Sequence, residues 1–271
     1  MAFCYRHPRR ETGVSCSSCG RAICPECMTS TPVGMRCPDC AGATTRVVRG
    51  VGGGAPRVTY LLIALNVLVF AGELLGGGAA TGTGGAGSLI AELGLSRAAV
   101  GAGEWWRIVT AGFLHGGLFH LAFNMLALYV LGDLLEPRLG AVRFLALYLA
   151  SLACGALGAL LLAPDGVTVG ASGAVFGLMG AAAVMMWRDG IPLFESGLGA
   201  WILLNLLITF LVPRISIGGH LGGLLGGALA AWLLGRAGSV GLRGNAALLP
   251  VVAIAALAVA GAIAISSGTG Y

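Results

Sequence analysis

Charge is scarce in this sequence. Of 271 residues only 10% are charged against 57% hydrophobic, and the mean hydropathy is +0.90. Water-soluble globular domains carry about 25% charged residues, so that class is excluded. Lysine is absent: all 16 basic residues are arginine, and the net charge of +5 is dispersed without the basic block that nucleic acid would require. The first 40 residues lack the short apolar core of a cleavable signal peptide, so this segment is expected to persist in the mature protein. Cysteine nearly vanishes after residue 41, where Cys154 stands in an apolar run as a small packing residue.

What is present is apolar length. Blocks of roughly 20 residues match a hydrocarbon core ~30 Å thick at ~1.5 Å of helix rise per residue. They lie near 58–76, 117–135, 142–163, 171–188, 193–212, 215–235 and 246–266. The chain therefore reads as an all-α polytopic membrane protein with seven spans. Residues 1–41 form a separate cysteine-rich unit, and 42–57 form a Gly-rich, Arg-bearing linker. The connection between the first two spans opens with GGGAATGTGGAG and continues half-apolar; its Trp105 and Trp106 suit the headgroup region.

Arginine sets the expected orientation. A cytoplasmic N-terminus places Arg46, Arg49, Arg57, Arg138, Arg143, Arg188, Arg236 and Arg243 inside and only Arg97, Arg107 and Arg214 outside. Seven spans then put the uncharged C-terminus outside. Glycine is abundant within the spans, and GGHLGGLLGG at 218–227 carries overlapping GxxxG patterns that favour close helix packing before residue 236.

Polar groups at membrane depth are candidate sites. His120 and Asn124 share one face of the second span, Ser172 opens the fourth within Gly170-Ala171-Ser172-Gly173, and His220 lies early in the sixth. These three spans run the same way, so all four side chains fall within ~12 Å of the outer surface. Ser172 with His220 supplies a nucleophile and a general base, and the helix N-terminus offers free N–H groups to an oxyanion, with His120 and Asn124 as further donors. No acidic residue is expected at that depth, so the pair reads as a dyad without a third member. His115, just outside the span, is expected to order the loop or the cavity mouth. Neither internal repeats nor paired charges favour a transporter or channel, and no HExxH favours a metalloprotease.

These residues resemble the rhomboid family of intramembrane proteases. WWRIVTAGFLHGGLFHLAFNM carries its WR motif at Trp106 and Arg107 and its HxxxxHxxxN pattern at His115, His120 and Asn124. GASGAVFGLMG carries GxSG with Ser172, and GGHLGGLLGG carries the last histidine, His220, followed by Gly223 and Gly227. LGDLLEPRLG, with Glu136, resembles the family's turn after the second span. The likeness covers roughly 58–236. It implies a six-helix rhomboid core plus a seventh C-terminal helix at 237–271, the 6+1 form, in a bacterial plasma membrane. It further implies cleavage of transmembrane protein substrates near the outer face by a Ser172–His220 dyad, with the Ser172 N–H, His120 and Asn124 as the oxyanion site. The alternative is an inactive rhomboid-like protein that binds transmembrane clients. Phe176 stands where a tyrosine often packs on the histidine, which preserves ring stacking and drops a hydroxyl.

The N-terminal unit presents Cys4-x2-His7, Cys16-x2-Cys19, Cys24-x2-Cys27 and Cys37-x2-Cys40, each with the spacing that lets two side chains reach one tetrahedral ion. Eight ligands make two closed, structural zinc sites in a domain too small to fold readily without them. A disulfide framework is the competing reading, against which stand His7 and a reducing cytoplasm. Resemblance to B-box and RING-like modules implies that pairs one and three share one ion and pairs two and four the other; spacing leaves this open. Docking of a protein partner or substrate is the expected role, with a stabilising cap as the alternative.

Overall fold

The computed structural model describes residues 2–31, 34–41, 55–75, 89–162, 165–213, 215–237, 241–242 and 244–268. Most of the linker, the low-complexity stretch 76–87, and Arg46, Arg49, Arg214 and Arg243 of the charge bias lie outside the described residues. The backbone divides into two compact units, 1–49 and 50–271.

In the first unit, β1 (Ala2–Phe3) pairs antiparallel with β2 (Glu11–Thr12), and β3 (Thr29–Thr31) with β4 (Gly34–Arg36). A 3-10 turn at Pro25–Cys27 and the short helix α1 (Pro38–Ala41) complete it. Its buried cluster consists of Ile23 with Cys4, Cys16, Cys24, Cys27 and Cys37. One isoleucine among sulfurs is far less apolar mass than a self-sufficient core requires.

The second unit is helical. Three short helices, α3 (Leu89–Leu93), α4 (Arg97–Gly101) and α5 (Arg107–Thr110), follow α2 (Arg57–Leu75). Then come α6 (Leu118–Leu139), α7 (Ala141–Leu162), α8 (Ser172–Arg188), α9 (Leu198–Leu211), α10 (Ile217–Ala237) and α11 (Leu249–Ser267). A helix thus stands at each of the seven expected spans. Five of them, α2, α6, α7, α10 and the segment ending in α11, are long and apolar enough to cross a membrane; α8 and α9 are apolar but shorter. This is a polytopic membrane protein.

Two boundaries differ from expectation. α6 continues through Glu136 and Pro137 to Leu139 before Gly140, at φ 81°, ends it, so the segment expected as a turn forms the last helical turn. α9 starts at Leu198 instead of 193, because turns precede it and Gly197 takes a left-handed φ of 79°.

α10 lies along α7 and α8, and glycine makes that approach possible. A methyl group on Gly223 would overlap the carbonyl oxygen of Gly173, and one on Gly227 the carbonyl oxygen of Gly177. Cys154 packs against Gly222 and Gly226 as a small filler. α11 rests on α7 and α4, where Arg97 donates from Nε and Nη2 to the Ile265 carbonyl at 3.0 and 2.8 Å, a cation placed at a helix C-terminus.

Candidate active site

Ser172 is the first residue of α8, preceded by Gly170 at φ 122°, a backbone conformation that side chains rarely adopt. The Gly170 N–H donates to the Ala111 carbonyl at 2.9 Å, and Thr168 pairs with Leu95. The segment before the serine is therefore tied to the α3–α5 connection. Arg107 organises that connection: it bonds Glu104 at 2.6 Å and donates from Nη1 to the Ala91 and Gly94 carbonyls at 2.8 and 3.0 Å. Trp105 and Trp106 stay exposed on its surface.

A small open cleft lies at the start of α8, lined by Thr168, Gly170, Ser172, Gly173, Ser216 and Gly219 among others. The serine hydroxyl makes no hydrogen bond among the described residues. His220 enters from α10, which crosses α8 at Gly173 and Gly223. Its imidazole stacks on Phe176, one turn after Ser172, with ring centroids 4.0 Å apart and planes 17° apart. Ring stacking is thus retained with phenylalanine at this position.

His120 and Ser172 border one point. A methyl on Gly170 would overlap Cε1 and Nε2 of His120 while standing 3.7 Å from Ser172 Oγ. The Gly116 N–H donates to His120 Nδ1 at 3.3 Å, so the ring proton sits on Nε2, the edge directed toward Gly170. Asn124, also buried, uses one amide hydrogen on the His120 carbonyl at 2.8 Å and keeps the other. The α8 N-terminus supplies N–H groups without intrahelical partners. The four polar residues read from the sequence are therefore carried by three helices, α6, α8 and α10, whose ends meet.

Two neighbours were not foreseen. Glu73, in α2, is buried beside the site and accepts the His115 N–H on Oε1 at 3.3 Å, while its Oε2 and both ring nitrogens of His115 have no partner among the described residues. An acidic group does stand at this end of the bundle, contrary to expectation, because the last turn of α2 reaches the loop before α6. Its contact is with His115, whose ring packs edge-on against His120 at 5.1 Å. The second neighbour is Thr209 of α9, whose hydroxyl lies 2.7 Å from His220 Nδ1. Asn205 and Thr209, four apart in an otherwise apolar helix, are the sequence signal that could have found it.

In the first unit, the ligand atoms of Cys4, His7, Cys24 and Cys27 lie within 4.8 Å of one another, as do those of Cys16, Cys19, Cys37 and Cys40. Pairs one and three meet, and pairs two and four meet. His7 Nδ1 stands 3.3, 3.4 and 3.9 Å from the sulfurs of Cys24, Cys27 and Cys4, and the sulfurs of Cys19 and Cys37 are 3.8 Å apart. Metal–sulfur bonds of about 2.3 Å in a tetrahedron separate ligands by roughly 3.5–3.8 Å, so both sets fit one ion each. Such sulfur separations are far beyond the ~2.05 Å of a disulfide. The Cys37 N–H, donated to Cys16 Sγ at 3.3 Å, leads the interactions that pull the Cys16 thiol down to about 6, while the Cys37 side chain leads those that push Cys40 up to about 12.

The sequence profile of the Rhomboid domain matches residues 102–237, half of the chain. "Rhomboid protease GluP" of Bacillus subtilis (strain 168) is 39% identical over 212 residues, covering 76% of this chain and 40% of that protein. "Putative rhomboid protease YdcA" of the same organism is 39% identical over 135 residues, 48% of this chain and 68% of that protein. "RHOMBOID-like protein 5" of Arabidopsis thaliana is 38% identical over 151 residues, 52% of this chain and 47% of that protein. The chain thus spans less than half the length of the first and third of these relatives.

Proposed function

The chain belongs to the rhomboid family, and from that premise we propose that it is an intramembrane serine endopeptidase acting on transmembrane protein substrates near the outer membrane face. The observation that carries this reading is the His220 imidazole, stacked on Phe176 one turn below Ser172, where α10 crosses the start of α8. Ser172 Oγ is the nucleophile and His220 Nε2 the general base. Attack on the scissile carbonyl moves the hydroxyl proton to Nε2, which returns it to the leaving amine; water then repeats the step to free the acyl group. The developing oxyanion is held by the Ser172 N–H, His120 Nε2–H and Asn124. His220 is buried, which keeps the base apart from bulk water while Ser172 borders the open cleft.

The orientation that goes with this reading puts the N-terminal unit in the cytoplasm of a bacterial plasma membrane and the end of α11 outside. Both cysteine clusters hold structural zinc: the Cys3His and Cys4 sets leave no coordination position open to a substrate, so the metal supplies folding energy and no chemistry. The module's exposed surface then serves to dock a protein partner.

Labelling purified protein with a fluorophosphonate probe, alongside cleavage of a transmembrane reporter, tests the proposal. Wild type should label and cleave, and Ser172→Ala and His220→Asn should do neither while remaining folded. Cleavage by Ser172→Ala at the wild-type rate would remove the assignment. A wild-type chain that binds the reporter without cutting it would make this an inactive client-binding member of the family.

A further inference from the structure

An imidazole acts as a base only through a nitrogen that carries a lone pair, and which nitrogen does so is set by what the other one touches. The Thr209 hydroxyl stands 2.7 Å from the Asn205 carbonyl oxygen and 2.7 Å from His220 Nδ1. A carbonyl cannot donate, so the single hydroxyl proton goes to Asn205. The contact with His220 must then run the other way, from Nδ1–H to the Thr209 oxygen, which leaves the lone pair on Nε2. Thr209 is 2% exposed and His220 8%, so water does not compete for either group.

Stacking on Phe176 fixes the plane of the imidazole but leaves open a 180° rotation about the Cβ–Cγ bond, which exchanges the nitrogen and carbon edges of the ring. The hydrogen bond to Thr209 stops that rotation. The two contacts together define where Nε2 points, and neither does so alone.

We infer that Thr209 is a positioning residue for the reaction, holding His220 in the tautomer and orientation that present Nε2 to Ser172; this rests on the reading of His220 as the base. During attack the Ser172 O–H bond breaks and its proton passes to Nε2. The imidazolium keeps its Nδ1–H on Thr209, Nε2 then gives the proton to the leaving amine, and Thr209 itself neither gains nor loses one.

The test compares Thr209→Val, which keeps the branched shape and loses the acceptor, with Thr209→Ser, which keeps the hydroxyl. The chain contains four histidines, so selective 15N labelling of the full protein in detergent micelles resolves each ring, and His220→Asn assigns the one of interest. In wild type His220 should carry its proton on Nδ1. In Thr209→Val that signature should become a mixture of tautomers, with kcat lower by about tenfold, the effect of one hydrogen bond, and KM unchanged. Thr209→Ser should restore both. The inference is overturned if Thr209→Val keeps the wild-type kcat, if both variants lose activity equally, or if kcat falls while the His220 signature stays put. A wild type that neither cleaves nor labels instead counts against the protease reading, and the 15N signature still decides whether Thr209 sets the tautomer.

Discussion

Glu136, in the last turn of α6, accepts three hydrogen bonds from the start of α2: the Val58 N–H at 2.9 Å, the Thr59 N–H at 2.8 Å and the Thr59 hydroxyl at 2.7 Å. The first N–H groups of a helix have no partner within it, and a carboxylate there satisfies them while complementing the helix dipole. Glu136 and Thr59 are both buried, so Glu136→Ala would leave donors without partners. At about 1–3 kcal/mol for a stranded buried donor, the variant should lose roughly 3 kcal/mol of stability. Glu136→Gln retains one acceptor oxygen and should lose less than half of that. Thermal unfolding in detergent reads both, and an unchanged midpoint for Glu136→Ala would show that α2 does not depend on this cap.

Gly223→Ala should separate α10 from α8, since the added methyl meets the Gly173 carbonyl, a backbone atom that cannot turn aside. Overpacking of this kind costs about 1–3 kcal/mol. It also shifts His220 relative to Ser172, so activity should fall further than stability does. Gly261→Ala is the control, because its methyl would meet Leu157 side-chain atoms at 3.5 Å, an ordinary contact. Equal activity in the two variants would refute the seam argument.

Glu73→Leu should split activity from stability. The carboxyl accepts the His115 N–H, and the next residue, Gly116, sets the His120 tautomer through its own N–H. Loss of that anchor should reduce kcat by about fivefold, one hydrogen bond's worth, and Glu73→Gln should retain most of it. Because Oε2 is buried without a partner among the described residues, leucine should leave the melting temperature unchanged or raise it. A lower melting temperature with unchanged kcat would show that Glu73 supports the fold alone.

Metal analysis of the full chain should find two zinc ions, and Cys16→Ala should reduce that number. Structural zinc contributes about 10–16 kcal/mol in small modules, so a strong chelator should unfold residues 1–41 and leave the helical unit intact. Fewer than two ions in wild type would count against one of the two clusters.

Much of the helical architecture was legible because each apolar block repeats the length of a bilayer, and α2, α6, α7, α10 and α11 follow that pattern closely. The boundaries of α9 were not, since Leu193 and Phe194 extend the apolar run into turns that hydropathy cannot distinguish from helix. Ser172, His220, His120 and Asn124 stood out as polar residues where lipid would reject them. Glu73 and Thr209 meet the same criterion, yet neither stands out in the sequence. Glu73 lies at the end of a span, where a charge can be read as interfacial. Thr209 carries a hydroxyl that a helix can satisfy by itself, through the carbonyl four residues back, and which third group it touches is decided by packing between helices. Arg107, by contrast, was found by motif, but its work of tying the Ala91 and Gly94 carbonyls depends on a chain path that no spacing rule supplies.

The cysteine pairs of the N-terminal unit alternate along the chain, so the loop that closes either cluster contains half of the other. Whichever ion arrives first must draw the opposite pairs toward each other and so lowers the entropic barrier for the second. Loading is therefore expected to be cooperative, with half-loaded protein scarce throughout a titration and the supply of metal acting on this unit as a threshold.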